Sequence, residues 1–206
     1  MNSGIFRGLR RWLAVAFASA LLATPATAQF SDSYNFLKAV RDKDGGKVTE
    51  MLGGSNPTLV NTRDVTTGEG GLHVVVKRRD DQWTRFLLAK GANPNARDRS
   101  GNTPLMIAAQ LGFPEGIVSL IQGKADVNLA NDRGETPLIA AVQRRDLVSA
   151  RILLGAGADP DKADHQAGMS ARDYAARDPR AGVLLRLIED TPKQSARKAE
   201  AAGPRL

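Results

Sequence analysis

Cysteine is absent from the 206 residues of the chain, and histidine occurs only twice, as His73 and His165. The lack of cysteine excludes disulfide bonds, thiolate catalysis, cysteine-ligated zinc sites and a lipidated N-terminal cysteine. A general base needs a substrate or nucleophile within hydrogen-bond reach, and a metal ligand needs companions. Two single histidines therefore give little support to a catalytic or a metal-binding function.

The sequence also lacks the common catalytic and phosphate-binding motifs. No activated serine, paired catalytic carboxylates or dinucleotide-binding fingerprint stands out. The glycine-rich stretch 67–71 has no following Lys-Ser or Lys-Thr pair, so we interpret it as a turn. Three aspartates lie shortly before His165, but Ser170 stands where a calcium loop has its closing glutamate. We therefore expect no enzyme activity, no cofactor and no metal.

The net charge of +7 lies almost entirely at the two ends of the chain. Three arginines precede residue 29, and the segment from Thr191 onward contributes a further net charge of +3. The body between them is nearly neutral, so it lacks the basic footprint that is typical of a nucleic-acid-binding domain. The sequence predicts no nucleic-acid partner.

Residues 1–28 have the pattern of a secretory signal peptide. A basic start precedes an apolar run from Trp12 to Ala23, and Ala26-Thr27-Ala28 matches the small-x-small cleavage pattern. We therefore expect cleavage after Ala28 and a periplasmic or secreted mature protein. The apolar run is too short to span a bilayer comfortably, so we expect no transmembrane span in the mature chain. A retained membrane anchor is the alternative.

What the sequence does contain is a pattern that repeats every 33 residues. Thr103-Pro104-Leu105 recurs as Thr136-Pro137-Leu138, and the same step separates the turns that begin at Ala92, Ala125 and Ala158. In each copy the threonine can cap free amides, and proline fits the first helical position. A fixed period of this size predicts a stack of similar structural repeats.

The repeated unit has a turn with glycine, a Thr-Pro-Leu helix start, a second helix with paired leucines, and a Gly-Ala-Asp or Gly-Ala-Asn end. This combination resembles the ankyrin repeat family over roughly residues 30–190. The resemblance implies an all-α solenoid of helix-turn-helix units linked by β-hairpin loops, with about five repeats including caps. Within a domain at 29–190, we expect units at 31–64, 65–99, 100–131, 132–165 and 166–190. Residues 191–206 have the composition of a basic disordered tail.

Some positions depart from the repeated pattern. Gly70-Gly71 stand where Thr-Pro is expected, so we expect the first helix of the second unit to be frayed. Lys124 replaces the glycine that usually follows the second helix of a unit. The repeated residues of the fifth unit follow those of the fourth after 34 residues instead of 33, which indicates an insertion of one residue. By the resemblance, His73 occupies a position with a structural hydrogen-bonding role between repeats.

The resemblance implies a non-catalytic scaffold that binds a protein partner through a concave face. In the family, the hairpin tips and the exposed positions of the first helices line that face. By register these positions are Thr66, Thr67, Glu69, Lys77, Arg78, Arg99, Ser100, Asn102, Gln110, Leu111, Asp132, Arg133, Glu135, Gln143 and Arg144. The five cations among them would form a partly basic strip suited to carboxylates, or they are ordinary solvated charges. We expect a monomer.

Two further functions stay open at this point. The first is an accessory or enzyme-like activity that uses His73 or His165. The second is an envelope protein whose basic tail and strip associate weakly with anionic lipid or cell-wall polymer.

Overall fold

The computed structural model describes residues 26–54 and 58–191, with side chains from residue 32 onward. Most of the predicted signal peptide and the tail from residue 192 lie outside the described residues, and the predicted cleavage site after Ala28 falls within the backbone of the first helix. The α-helices are α1 (Ala26–Arg41), α2 (Gly45–Leu52), α3 (Gly71–Lys77), α4 (Asp81–Ala89), α5 (Pro104–Leu111), α6 (Pro114–Gln122), α7 (Pro137–Gln143), α8 (Leu147–Gly155), α9 (Ala171–Arg177) and α10 (Gly182–Glu189). A short 3-10 helix, Leu59–Asn61, lies between α2 and α3.

In the described part of the chain the helices pair into five helix-turn-helix units, α1–α2 through α9–α10. The first helices pack in one row from α1 to α9, and the second helices from α4 to α10 pack in another. Within residues 26–54 and 58–191 no extended strand is present, and the one isolated bridge joins Arg63 to Gly70. The expected all-α repeat fold is therefore confirmed.

Equivalent residues of successive units occupy equivalent places in the stack. Leu105 of α5 and Leu138 of α7 are both fully buried, and each follows the proline that begins its helix. Burying a leucine side chain of this kind stabilises the fold by roughly 1.5–3 kcal/mol. The repeat read from the sequence is thus a repeat of packing.

The first helices of the third and fourth units begin as the sequence predicts. The hydroxyl oxygen of Thr103 accepts the amide of Met106, and that of Thr136 accepts the amide of Ile139, both at 3.2 Å. Each bond satisfies one of the amides that a helix start leaves without a helical partner.

The expectation of a frayed first helix in the second unit is wrong. Helix α3 begins at Gly71, 33 residues before Pro104, and it has seven residues, as α7 does. The ring of His73 supports this helix start in a different way, because its Nδ1 accepts the amide of Gly70, the residue before the helix, at 3.1 Å. Gly71 also allows close packing, since a Cβ there would lie 3.1 Å from Leu87.

The loops between units explain why the repeated residues are not all spaced by 33. The loops at 98–102 and 131–135 are each closed by a backbone bond between their end residues, and so are those at 64–69 and 164–169. The last two are one residue longer. The insertion expected in the fifth unit therefore lies in its linking loop, and the second unit has the same insertion, which the 33-residue spacing of Leu72 and Leu105 concealed.

Asparagines at one repeated position tie each unit to the next. The side-chain oxygens of these asparagines accept backbone amides of the following unit at 2.7–2.8 Å. The bonds run from Asn93 to Asn61, from Asp126 to Asn95, and from Asp159 to Asn128. At the last copy of the position, Asp161 instead pairs with Arg172 of α9 at 2.7 Å. The unit-to-unit spacing is therefore fixed by side chains as well as by the core.

The buried apolar residues form two clusters that meet between the second and third units. One cluster runs from Phe36 of α1 to Ala92, and the other runs from the third unit to Ile188 of α10. Val76 of α3 belongs to the second cluster, and Leu88 packs against both. Among the described helices, none is both long enough and apolar enough to cross a membrane.

Candidate partner-binding face

The predicted partner-binding residues of the loops lie on the same side of the array as the ends of the first helices. We call this surface the hairpin face and define it by loops 64–69, 98–102, 131–135 and 164–169 with the last turns of α3, α5, α7 and α9. The Lys77 ammonium contacts the Glu69 carboxylate, and Arg177 Nη1 lies 3.7 Å from Met169 Sδ. These contacts join helix end and loop within one unit. None of the fifteen predicted residues is buried.

Each loop of the hairpin face is held in shape by an acidic or amide side chain at its first residue. The side-chain oxygen of that residue accepts two backbone amides of its own loop at 2.8–3.2 Å. The four residues are Asp64, Asp98, Asn131 and Asp164. Such local bonds are why Asp and Asn favour turns, and here they make the loops rigid.

Backbone hydrogen bonds also join each loop tip to the next one. The amide of Arg99 donates to the carbonyl of Thr67 at 3.0 Å, and that of Asp132 donates to Ser100 at 3.2 Å. The third bond, from His165 to Arg133, measures 2.8 Å. The four loop tips therefore form one continuous row with a fixed spacing.

A chain of polar side chains runs along the middle of this row. Asn131 is only 4% exposed, and its amide donates to Asn102 Oδ1 at 3.1 Å and to Glu135 Oε2 at 2.9 Å. The same glutamate oxygen accepts from Arg133 at 2.5 Å. Sequence reasoning missed Asn131, although its register with Asp98 marked it as a loop residue.

Three cations of the predicted basic strip are engaged within the hairpin face itself. Lys77 pairs with Glu69, and Arg133 pairs with Glu135. The guanidinium of Arg99 donates to the carbonyl of Val65 in the preceding loop. Because two of the three cations have a carboxylate partner on the same face, the strip has little unbalanced positive charge in this region.

The other two cations of the strip reach back toward the preceding unit. Arg78 Nη1 donates to the carbonyls of Val40 and Arg41 at 2.7 and 2.9 Å, so it closes the C-terminal end of α1. The guanidinium of Arg144 lies against Gly112 at the end of α5, because a Cβ on that glycine would be 3.0 Å from Nη2. Arg78 therefore holds two successive units together, and Arg144 lies against the unit before its own.

The last unit contributes an aromatic group that the sequence did not single out. The Tyr174 hydroxyl donates to Asp164 Oδ2 at 2.6 Å, and Gln143 of α7 also hydrogen-bonds this tyrosine. The bond to Asp164 and partial burial raise the pKa of Tyr174. Tyr174 occupies the place of Ala140 in the preceding unit, and the 34-residue step to the fifth unit obscured this equivalence.

The two histidines are in different surroundings. His73 is fully buried; its Nδ1 accepts the amide of Gly70, so its Nε2 carries the proton and donates to the carbonyl of Asn102 at 3.1 Å. Burial lowers the pKa of this ring, which favours the neutral form. Both ring nitrogens are therefore occupied. His165 is exposed, and its ring lies over Gly134, where a Cβ would be 2.7 Å away.

The described residues contain no group of three or more His, Asp or Glu side chains placed to hold a metal ion. The arrangement on the hairpin face is instead a rigid row of hydrogen-bonding side chains and backbone loops. Such a row can bind another molecule by contact.

Models of known families match most of the repeat array. A model of three ankyrin repeats matches residues 36–131, and a model of a single ankyrin repeat matches residues 133–165. Together the two matches cover more than half of the chain.

Several proteins of known name are similar to this region. An ankyrin repeat-containing protein of Treponema pallidum (strain Nichols) is 33% identical over 143 residues, which are 68% of this chain and 46% of that protein. The transient receptor potential cation channel subfamily A member 1 of Homo sapiens is 35% identical over 111 residues, 50% of this chain and 10% of that protein. The nuclear factor NF-kappa-B p105 subunit of Gallus gallus is 37% identical over 101 residues, 47% of this chain and 10% of that protein. The chain thus spans less than half the length of these relatives.

Proposed function

Because the chain belongs to the ankyrin repeat family, whose repeats typically mediate protein–protein interaction without enzymatic activity, we propose that it is a non-catalytic scaffold that binds a protein partner through its hairpin face. In this proposal the hairpin face is the concave side of the array. The main support is the row of backbone bonds that joins the loop tips, from Thr67 to His165. A surface held in this way loses little conformational freedom when a partner docks.

The state of the charged groups indicates what kind of contact the face would make. Lys77 and Arg133 already have carboxylate partners on the face, so binding there does not depend on a strongly acidic partner. Exposed polar groups such as Ser100 and Gln143 then supply hydrogen bonds to the partner. The burial of His73 supports the non-catalytic part of the proposal, because neither ring nitrogen is open to a substrate.

The proposed scaffold is exported, and the support for this is the basic, apolar and small-x-small pattern of residues 1–28. An exported protein would act on partners in the periplasm or outside the cell. N-terminal sequencing of the protein recovered from the producing cell tests this step. A chain that begins at Gln29 agrees with export, and a chain that still carries residues 1–28 contradicts it.

The binding face is tested by photocrosslinking in the native cell. A photoreactive amino acid replaces Ser100 or Gln143 on the hairpin face, and Arg151 of α8 serves as a matched exposed position on the second helices. We expect one crosslinked product of the same mass from both hairpin-face positions and none from Arg151. A product from Arg151 alone, or no product from any position, would overturn the assignment of the face.

A further inference from the structure

The junction between the second and third units is where the two apolar clusters meet. Only Val76 of α3 belongs to the cluster of the later units, and Leu88 is the half-buried residue that packs against both clusters. Helices α3 and α4 still pack directly on α5 and α6, so apolar packing and polar contacts both close this junction.

His73 makes a buried polar link across this junction. Its Nδ1 accepts the amide of Gly70 at the start of α3, and its Nε2 donates to the carbonyl of Asn102 in the next unit's loop. In the third and fourth units, threonine hydroxyls support the helix starts by accepting the amides of Met106 and Ile139, and hydroxyls do not titrate near neutral pH. The start of α3 is instead supported by a titratable side chain, through a different amide.

Protonation of His73 would break its bond to the amide of Gly70 at the start of α3. A proton on Nδ1 turns the acceptor into a donor, so the amide of Gly70 loses its partner and faces an N–H group. The ring would also become a cation with no exposed surface, which is unfavourable in apolar surroundings. Both effects disfavour the packed state of α3.

The charged groups around the ring only partly offset this penalty. Burial, the largest influence, lowers the pKa of His73, and Arg63 acts in the same direction. The Asn102 carbonyl and the carboxylates of Asp98 and Glu69 oppose it, but the net change is downward. Helices α1, α4 and α5 pack against α3, and α5 has no charged side chain. On α1, Asp32 is exposed. The other charged residues of α1 and α4 have partners of their own, and these pairs are Lys38 with Asp42, Arg41 with Asp64, and Arg85 with Asp81.

We propose that His73 is a pH-sensitive lock at this junction: when it becomes protonated, the first two units open while the third to fifth units stay folded. The bond between Thr67 and Arg99, which joins two loops of the hairpin face, crosses the same junction. Opening would therefore divide the hairpin face. That last consequence rests on the proposed function, whereas the lock itself rests on the fold alone.

Hydrogen exchange of the full chain, followed by mass spectrometry at about pH 7.5 and about pH 5 and corrected for intrinsic exchange, tests the lock. With an ordinary histidine value of 6.5 in the open state, the opening equilibrium rises by up to about 30-fold at pH 5. We expect this loss of protection in peptides from residues 32–92. Peptides from residues 103–190 should keep theirs.

Three variants separate the lock from general acid sensitivity. His165→Asn removes the other histidine and should leave the wild-type response unchanged. His73→Asn and His73→Gln cannot titrate, so their exchange should be equal at the two pH values even if both are less stable overall. Loss of protection spread evenly over all five units, or a wild-type response in either His73 variant that folds, would overturn the lock.

A second measurement does not depend on the His73 variants folding. Because the chain has two histidines, His165→Asn leaves a single imidazole, and its nitrogen NMR shifts report the tautomer directly. We expect the Nε2-protonated neutral form at about pH 7.5 and loss of the folded signals of units one and two as the ring gains its proton. A ring that titrates while those signals persist contradicts the proposal.

Discussion

At the scale of single residues, several residues other than glycine adopt a left-handed backbone conformation at the ends of helices. Lys124 follows α6 with a φ of 69°, and the same position in the neighbouring units holds Gly91 and Gly157 with φ of 85° and 93°. Glycine adopts this conformation without steric conflict, whereas other residues are strained in it. The sequence shows that glycine is replaced at position 124, and the structure shows that Lys124 keeps the left-handed backbone conformation of the equivalent glycines.

Replacing Lys124 with glycine should stabilise the protein. The relief of the left-handed strain exceeds the extra freedom that glycine gives the unfolded chain, so we expect a gain of about 0.5–1 kcal/mol. The reciprocal change Gly91→Lys should destabilise by a similar amount, because a Cβ there meets nothing within 4 Å and backbone strain alone acts. Urea unfolding followed by circular dichroism measures both. A lower midpoint for Lys124→Gly than for the wild type contradicts the argument.

The cationic residues show where residue-level prediction reached its limit. The register placed Arg78 and Arg144 among the exposed positions of the first helices, but it did not determine the direction of their side chains. Arg78 turns back to the carbonyls of Val40 and Arg41, since these are acceptors left open at the end of α1. Such contacts depend on where the neighbouring unit ends, and a repeat period does not specify that.

At the scale of elements, the helix starts were the most predictable feature. Thr-Pro-Leu predicted the beginnings of α5 and α7, because the cap, the proline and the buried leucine are all local to the sequence. The start of α3 was not predictable in the same way. Its cap comes from His73, three residues into the helix, and requires a side chain that folds back toward Gly70.

The threonine caps make a direct prediction for helix stability. Thr136→Ala removes the acceptor for the amide of Ile139 and should lower the free energy of unfolding by about 1 kcal/mol. Thr103→Ala should have a similar effect through Met106. Thr66→Ala, at an exposed loop position, is the matched control and should change stability by less than about 0.5 kcal/mol. Equal effects of Thr66→Ala and Thr136→Ala in chemical unfolding would count against the caps.

At the scale of the whole molecule, the sequence predicted the architecture better than the surface. The 33-residue period is a consequence of packing, since each unit buries its apolar side against the next, and so the stack could be read from Leu105 and Leu138. The pairing of charges in the predicted basic strip was less readable. Whether Lys77 or Arg133 has a carboxylate partner depends on side-chain distances within the folded loop, which no spacing in the sequence encodes.

The arrangement of titratable groups predicts that the whole molecule loses stability with falling pH in two stages. The folded pKa of His73 is lowered from 6.5, so the unfolded chain binds more protons below this value, and stability falls from about pH 6.5 downward. The pKa of Asp64 is lowered from 3.8 by the amides of Thr66 and Thr67, and that of Asp178 by Arg145. Their contribution is present above pH 3.8 and is lost as the pH falls through the lower folded values.

Urea midpoints measured across this range resolve the two stages. The wild type should show a first decline between about pH 6.5 and pH 5 and a second below about pH 4. His73→Gln should lack the first decline and keep the second, because only the carboxylates then titrate. Arg145→Gln should reduce the second decline and leave the first, since it removes the guanidinium that favours ionised Asp178. A wild-type midpoint that stays level down to about pH 4 would show that His73 does not couple protonation to folding.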